Sequence, residues 1–197
     1  MPDDARPLTF TEEARRRQIV DCTITLLAER GPAGASLSAI AGAAGISKAA
    51  VLYHFTSKDN VVIAAFRHVL EHYVAAVGAR VGAAPDPEGM LVAYIRGAIS
   101  YLGEHPTHVR VLTDGLERSG VAVPGSPGAA SRWQSVAGIL DAGQQAGQFR
   151  AFDSRVLALA IGGALDGVVG EWIADPAFDL DAAAAELVGS VLRAIRA

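Results

Sequence analysis

The apolar residues of the chain recur with a helical period along most of its length. In the first such segment the i, i+3, i+4, i+7 and i+8 positions are held by Ile19, Cys22, Thr23, Leu26 and Leu27. This spacing places them on one face of a helix. Thr11, which is followed by two glutamates, is the predicted N-cap of that helix, and Gly31-Pro32 is its predicted end.

Similar patterns, interrupted by Gly, Pro, Ser or Asp, predict helices along the rest of the chain. Their predicted ranges are 36–44, 48–55, 58–82, 88–104, 107–118, 129–146, 154–174 and 181–196. The segment 83–87, which contains two prolines, is the clearest break, and the Gly/Pro-rich segment 120–128 is a predicted loop. No stretch alternates with a period of two for long enough to indicate a sheet. The pattern therefore predicts an all-α protein.

Composition narrows the class of protein. The chain has 197 residues, of which 51% are hydrophobic and only 6% aromatic, so it is long enough to form a core without a disulfide or a metal. Its single cysteine, Cys22, excludes a disulfide framework. The acidic N-terminus lacks the features of a signal peptide, and the longest apolar run, 156–165, is shorter than the ~20 residues that cross a bilayer. We therefore expect a soluble cytoplasmic protein with no membrane partner.

Residues 36–55 carry the most informative motif. Two short predicted helices are separated by Gly45, and Ala41 and Ala44 stand where the helices would cross. Small residues allow that close crossing, and glycine accepts the positive φ that ends the first helix. The second helix carries Lys48 and Tyr53 on the face opposite its apolar residues. This pattern is typical of a helix-turn-helix whose second helix enters the major groove of DNA.

Around this motif the chain resembles the TetR/AcrR family of bacterial transcriptional regulators. The resemblance runs from about Glu13 to Phe66, and its matching segments are 26–31, 36–37, 40–41, 44–48, 53–55 and 57–59. It implies an all-α fold with an N-terminal three-helix helix-turn-helix DNA-binding domain and a C-terminal α-helical ligand-binding and dimerisation domain. The corresponding predicted bounds are 1–10 for a flexible arm, 11–57 for the DNA-binding domain, 58–82 for the connecting helix and 83–197 for the regulatory domain.

The second helix of the motif departs from the family pattern. The family commonly has Gly-Thr-Leu-Tyr where this chain has Ala49-Ala50-Val51-Leu52. Leu52 cannot make the phosphate hydrogen bond of the family's tyrosine, so we expect that contact to be absent, with Tyr53 as the candidate to replace it. The operator preference cannot be carried over from a relative.

The predicted DNA-binding residues combine helix caps, small residues and polar side chains. They are Ser36, Ser47, Lys48, Ala49, Ala50, Tyr53, His54 and Lys58. Residues 15–60 contain six basic and three acidic residues, a local charge of +3, although the whole chain carries -4. The acidic total therefore does not exclude DNA. Residues 15–17, all arginine, fit either the solvated face of the first helix or contact with the DNA backbone, and Arg6 is a minor-groove candidate.

Three glycines lie on one side of the predicted helix 154–174, which indicates close approach of another helix. The resemblance places this helix and the last one in a dimer bundle, and close packing within one protomer is the alternative. The predicted dimer interface consists of Gly163, Gly167, Gly170, Val188, Val191, Leu192 and Ile195.

A ligand pocket is expected in the second domain, on the resemblance alone. The candidate residues are Tyr101, Arg110, Asp114, Trp133 and Asp166, each of which is also compatible with ordinary core or surface. An apolar pocket with a few polar groups suits a hydrophobic or amphipathic small molecule.

We predict no metal site, no cofactor and no enzyme activity. His68 and His72 lie one helical turn apart, but no third ligand accompanies them. No nucleophile–base arrangement or phosphate-binding glycine loop is evident.

The resulting hypothesis is a ligand-responsive repressor that binds a palindromic double-stranded DNA operator as a homodimer and is released by a small-molecule effector. The alternatives are a transcriptional activator, or an all-α small-molecule-binding or enzymatic protein whose helix-turn-helix is purely structural.

Overall fold

The structure, a computed structural model, describes residues 9–118 and 129–197, without the side chains of residues 113–118 and 129–132. Within these ranges the fold is all-α, as predicted. The helices are α1 (Phe10–Gly34), α2 (Leu37–Ala43), α3 (Lys48–Phe55), α4 (Lys58–Gly82), α5 (Pro87–Glu104), α6 (Pro106–Arg118), α7 (Ala129–Gln145), α8 (Ser154–Ala174) and α9 (Leu180–Ile195). The predicted arm residue Arg6 and the predicted loop 120–128 lie outside the described residues.

Helix α1 begins two residues earlier than predicted, because its cap is Thr9 and not Thr11. The Thr9 hydroxyl accepts the Glu12 amide, and the Glu12 carboxylate accepts the Thr9 amide at 2.8 Å. This reciprocal pair is a capping box, which needs a glutamate or glutamine three residues after the cap. Thr11 has Ala14 at that position and cannot form one.

The predicted end of the first helix is a kink. Gly31 has a φ of +66°, a left-handed conformation that favours glycine, and Pro32 follows it. One further turn then leads to Ser36, the N-cap of α2. The main part of α1 therefore ends where the sequence predicted.

The chain forms two compact units. The first contains residues 9–70 and 107–118, and the second contains residues 71–106 and 129–197. Helix α6, predicted to belong to the regulatory domain, thus groups with the first unit. Val111 is buried in the core of that unit, and the Arg110 guanidinium donates to the Ala28 carbonyl oxygen at 2.8 Å.

The first unit has its core where α1, α2, α3 and the beginning of α4 meet. Its largest fully buried side chains are Ile19, Ile40, Val51, Val61 and Val69. The apolar stripe predicted for the first helix takes part in this core, with Cys22 half-buried. Burial and the neighbouring Asp21 raise the pKa of the Cys22 thiol, so Cys22 is a packing residue with little thiolate character.

The second unit has its core among α5, α7, α8 and α9. Leu91, Ile95, Leu140, Ile161 and Ile195 are its fully buried centre. Between α7 and α8 the chain turns so that the Phe149 ring lies on Gly143, where an added Cβ would be 2.0 Å from a ring carbon. Glycine is required at that close approach.

Two of the described helices, α4 and α8, are long and apolar enough to cross a membrane by length and composition alone. This corrects the sequence estimate, which considered only the longest uninterrupted apolar run. The core helices of soluble proteins meet the same criterion. One side of α4 supplies Val61 and Val69 to the first core, and one side of α8 supplies Ile161 to the second.

Candidate nucleic-acid interface

The turn between α2 and α3 is fixed by its own backbone hydrogen bonds. Gly45 has a φ of +64°, and its amide donates to the Gly42 carbonyl oxygen at 3.2 Å. The Ile46 amide donates to the Ala41 carbonyl oxygen at 3.0 Å. These bonds satisfy carbonyls that the end of α2 would otherwise leave without a partner. The chain therefore leaves α2 in one defined direction.

Both short helices are capped by serine, as predicted. The Ser36 hydroxyl accepts the Ala39 amide at 3.2 Å, and the Ser47 hydroxyl accepts the Ala50 amide at 3.1 Å. Helices this short are marginal in isolation, so these caps and the packing of one face hold them together. Both serines are exposed, which leaves their hydroxyl oxygens at the surface beside the turn.

The two helices pack on α1 through their buried sides. Ile40, Ala41 and Ala44 are buried beneath α2, and Val51 and Phe55 beneath α3. The Gln18 side-chain amide of α1 donates to the Ala44 carbonyl oxygen at 3.2 Å, at the turn itself. The small side chains of Ala41 and Ala44 are therefore required for the crossing, as the sequence predicted.

The opposite side of α3 is exposed and consists of small and polar residues. Lys48 and Ala49 are exposed near its start, and Leu52 and Tyr53 follow at 39% and 74% exposure. Ala50 and His54 are half-buried at the edges of this face. Six of the eight predicted DNA-binding residues thus belong to α3 or its cap, the other two being Ser36 and Lys58.

Tyr53 and His54 form an edge-on pair, with ring centroids 5.1 Å apart. The Tyr53 hydroxyl lies 3.5 Å from a carboxylate oxygen of Glu12, the residue that completes the α1 capping box. Burial lowers the pKa of His54, the nearby Arg16 and Arg15 lower it further, and Glu12 acts in the opposite direction. His54 is therefore a neutral imidazole at pH 7 and adds no charge to this face.

Lys58, which was predicted to contact DNA phosphate, makes a hydrogen bond within the protomer. It is half-buried, and its ammonium donates to the Pro32 carbonyl oxygen at 3.0 Å. This bond joins the first residue of α4 to the kink at the end of α1. An ammonium has three donors, so this bond leaves the predicted phosphate contact untested.

The junction between α3 and α4 contains an unusual backbone conformation. Thr56 has a φ of +58°, in the left-handed region that β-branched residues avoid. Its hydroxyl donates to the Phe55 carbonyl oxygen at 2.7 Å and accepts the Asn60 side-chain amide at 2.8 Å.

Sequence reasoning missed the role of Arg16. It grouped the arginines 15–17 as solvated residues or backbone contacts, whereas the Arg16 guanidinium stacks 4.1 Å from the centroid of the Phe55 ring and donates to the His54 carbonyl oxygen. Arg16 lies three residues before the buried Ile19, on the side of α1 that faces α3. That helical spacing was the available signal.

The predicted pocket residues fall in both units. Arg110 belongs to the first unit, and the side chain of Asp114 lies outside the description. In the second unit, Asp166 is on the exposed side of α8 and Trp133 is half-buried under the Arg155 guanidinium, 4.9 Å from its ring centroid. These positions do not test the predicted pocket, which stays a prediction.

Among the predicted pocket residues whose side chains are described, Tyr101 lies in the interior. It is 3% exposed and packs edge-on against Tyr73, and the centroid of the His105 ring is 4.4 Å from its own. Burial raises the pKa of Tyr101 to about 12, so its hydroxyl is protonated at any physiological pH.

The predicted dimer residues separate into two groups. Gly163, Gly167 and Gly170 lie on the exposed side of α8, and a Cβ added at any of them would meet nothing within 4 Å. Packing against the described residues of the protomer therefore does not explain them. Val188, Val191, Leu192 and Ile195 belong instead to the buried core of the second unit. Burial in one protomer does not test contact with a partner, so the interface assignment of those four stays a prediction.

No group of three potential metal ligands occurs in the part of the chain that the structure describes. An open depression of about 440 Å³ lies where the end of α9 meets the start of α5. The Arg196 guanidinium binds the Glu88 carboxylate there at 2.9 and 2.5 Å, which lowers the pKa of Glu88. The depression thus lies at an ion pair that joins two helix ends.

The fold and the α2–α3 geometry define a class: an all-α protein with a helix-turn-helix of the kind that places its second helix in the major groove of DNA. Residues 19–65 match the family described as bacterial regulatory proteins, tetR family. These residues carry a helix-turn-helix of the TetR family of transcriptional regulators.

Curated relatives match a little under half of the chain. The HTH-type transcriptional regulator BetI of Burkholderia ambifaria is 36% identical over 90 residues, which are 45% of this chain and 46% of that protein. BetI of Brucella anthropi is 31% identical over 89 residues, with the same shares covered. The chain spans about half the length of the curated relatives it matches.

Solved structures extend the likeness of fold to most of the chain. FadR of Bacillus subtilis, solved in complex with stearoyl-CoA, gives a TM-score of 0.79 at 22% identity, covering 89% of this chain and 97% of that one. A putative transcriptional regulator of Saccharomonospora viridis, solved in complex with choline, gives 0.82 at 22% identity, covering 94% and 99%. At these identities the likeness shows the fold.

Proposed function

We propose that this protein is a ligand-responsive transcriptional repressor that binds a palindromic DNA operator as a homodimer. The observation that carries the proposal is the exposed face of α3, which presents Lys48, Ala49 and Tyr53 on a helix fixed by Ser47 and the Gly45 turn. Ala49 has little bulk, so the helix can approach the floor of the major groove. Acting on DNA, the protein is expected to work in the cytoplasm.

Phosphate contacts are assigned to groups around this face. Lys48 supplies the exposed positive charge, and the exposed Ser36 and Ser47 lie at the starts of α2 and α3, where the partial positive charge of a helix end favours phosphate. Because the local net charge is only +3 over residues 15–60, one copy binds weakly by charge alone. Two copies on two half-sites, roughly 34 Å or a multiple apart, supply the remaining affinity.

The exposed side of α8 is proposed as the dimer interface. Beside its glycines it exposes Val156 at 62%, Leu159 at 52% and Ile173 at 39%. Apolar side chains flanking open glycines suit a second helix that approaches closely. In a two-fold pair the same face of a second copy supplies that helix. The α9 stripe is not part of this proposal, because it is already buried.

The second unit is proposed to bind the effector. The structural relatives named above were solved with stearoyl-CoA and with choline, so small organic ligands bind proteins of this fold. In this chain the interior Tyr101, which has ring contacts with Tyr73 and His105, supplies a polar group that an effector can contact. An effector releases the protein from DNA to the extent that it binds the released state more tightly.

The first experiment measures binding of the purified protein to the DNA upstream of its own gene, by fluorescence anisotropy at fixed salt. Specific binding that weakens in both Lys48→Ala and Tyr53→Ala supports the proposal. Unchanged affinity in both variants contradicts the assigned contacts. Deleting the gene then separates the modes: transcription of the target rises for a repressor and falls for an activator.

The effector is sought with two probes, stearoyl-CoA and choline, in a thermal-shift assay and in the same DNA-binding assay. A probe that raises the Tm and releases DNA identifies the ligand class. The Tyr101→Phe variant removes the hydroxyl and keeps the ring, so a loss of that response assigns the contact to the hydroxyl.

A further inference from the structure

We infer that Arg16 is a positioning residue for DNA recognition: it fixes the C-terminal end of α3 and does not itself contact DNA phosphate. The inference rests on the proposed function, since it concerns how the DNA-reading helix is held. Arg16, the Phe55 ring and the His54 carbonyl oxygen are together called the Arg16 clamp.

The geometry of the clamp uses both properties of a guanidinium. Its Cζ lies over the Phe55 ring, 4.1 Å from the ring centroid, while an N–H donates to the His54 carbonyl oxygen. Phe55 is 4% exposed and belongs to the core of the first unit. Arg16 is therefore bound to a side chain that cannot move independently of that core.

The Arg16 guanidinium donates to the His54 carbonyl oxygen, which lies in the last turn of α3. Carbonyl oxygens in the last turn of a helix have no partner within the helix, and they carry its partial negative charge. The neighbouring carbonyl oxygens are occupied by local donors, since Leu52 accepts the Thr56 amide and Phe55 accepts the Ser57 amide. Arg16 supplies the corresponding donor for His54 from a different helix.

This bond matters because α3 has only eight residues and is followed by the left-handed Thr56. Ser47 caps the N-terminal end of α3. At the C-terminal end of α3, Arg16 of α1 supplies the hydrogen-bond donor. Tyr53 and His54, both predicted to touch DNA, lie in the turn that Arg16 closes. Losing the clamp should therefore misplace these side chains without removing a DNA contact.

The test compares Arg16→Gln and Arg16→Lys with Arg17→Gln. Arg17 is the adjacent exposed arginine, and its replacement removes the same charge. Lysine keeps the charge at 16 but has no planar group to stack and donate in two directions. A phosphate contact survives Arg16→Lys in large part, whereas the clamp does not.

Amide hydrogen exchange of the full-length, DNA-free protein is the first measurement. We expect both Arg16 variants to raise exchange rates at residues 52–57 by about tenfold, as local opening becomes easier, and Arg17→Gln to leave them unchanged. Equal exchange in all three variants would overturn the clamp. Because no DNA is present, this result is independent of the proposed function.

Specific and non-specific DNA binding across a salt series is the second measurement. We expect both Arg16 variants to lose about tenfold in the ratio of operator to scrambled-DNA affinity, with an unchanged salt slope. Wild-type affinity in Arg16→Lys, together with a slope reduced by about one in Arg16→Gln, would make Arg16 a phosphate contact and overturn the inference. A wild-type protein that does not distinguish operator from scrambled DNA contradicts the proposed function, while the exchange data still decide the clamp.

Phe55→Leu is a second variant that tests the clamp if an Arg16 variant fails to fold. It removes the ring under the guanidinium but keeps an apolar core side chain. We expect it to reproduce the raised exchange at residues 52–57. Exchange confined to other segments in this variant contradicts a clamp that acts through the ring.

Discussion

Helices α3 and α8 both expose a face of small residues, but the side chains beside those residues differ. On α3, Ala49 stands next to Lys48 and the Ser47 hydroxyl. On α8, three open glycines stand next to exposed Val156 and Leu159. Small residues on both helices permit close approach. The flanking chemistry selects the proposed partner, polyanionic DNA for α3 and an apolar helix for α8.

The two faces also differ in what supports them. The α3 face is held from beneath by α1 and by capping hydrogen bonds, because eight residues do not form a stable helix alone. Helix α8 has 21 residues and contributes Ile161 and Leu165 to the core behind its exposed face. The structure that supports the α3 face is therefore less stable against substitution than the structure that supports the α8 face.

The largest expected effect is on dimerisation. Gly167→Leu should fold normally, since an added Cβ meets nothing among the residues that the structure describes. In a two-fold interface the substitution acts twice, so we expect the dimer dissociation constant to rise by about 100-fold or more. Sedimentation velocity across a concentration series measures it.

Gly138→Leu is the matched control, because Gly138 on α7 is exposed and equally open. The comparison between α3 and α8 fails if Gly138→Leu separates the protomers while Gly167→Leu does not.

Filling the α3 face should have the next largest effect. Ala49→Leu adds bulk where the helix approaches the bases, and we expect specific DNA affinity to fall by about 10- to 100-fold. The substitution is at an exposed position, so the free energy of unfolding should change by no more than about 0.5 kcal/mol. Anisotropy titrations and denaturant unfolding measure the two quantities. Ala79→Leu, at an exposed position of α4, should leave both unchanged.

The two lysines of the helix-turn-helix should behave differently. Lys48→Ala removes an exposed charge, so we expect specific and non-specific binding to weaken together and the salt slope to fall by about one. Lys58→Ala breaks the bond to the Pro32 carbonyl oxygen, so we expect a loss of about 1–2 kcal/mol in the free energy of unfolding. Salt-dependent titrations and urea unfolding separate them. Identical salt slopes for both variants would show that Lys58 also contacts phosphate.

The smallest effect concerns pH and His54. Its pKa is lowered in the folded protein, so the unfolded chain binds the proton more readily, and its contribution to stability declines as the pH falls through the ordinary histidine range. Protonation also adds a charge to the α3 face, so DNA affinity should increase by about two- to fivefold as the pH falls below that range. His54→Gln should remove this pH dependence. Titrations between pH 5 and pH 8 follow it, and an unaltered profile in the variant would exclude His54 as the titrating group.

The helices could be predicted because their signals are local. Apolar period, serine and aspartate caps and Gly/Pro breaks lie within a few residues of the feature they determine. Even the error at Thr11 has a local reason, since the capping box identifies Thr9 through Glu12. The helix-turn-helix was predictable for the same reason, as its turn and both caps lie within residues 36–55.

The surfaces were less predictable, because they depend on which side of a helix the rest of the fold covers. The α8 glycines and the α9 valines form equally regular patterns in the sequence. In the structure the glycines are exposed, whereas the valines lie in the core of the second unit. The roles of Arg16 and Arg110 could not be predicted either. Each donates to a carbonyl oxygen of another helix, and a backbone acceptor does not depend on residue type, so the sequence pattern does not indicate it.

The left-handed Thr56 has a consequence for the direction in which α4 leaves α3. A threonine at a positive φ costs roughly 1–2 kcal/mol relative to glycine, and here two side-chain hydrogen bonds offset part of that cost. A glycine would relieve the strain but allow many backbone directions, whereas threonine, once held, permits few. The junction between α3 and α4 is therefore somewhat less stable than it would be with glycine, but it restricts the angle between the two helices to a narrow range.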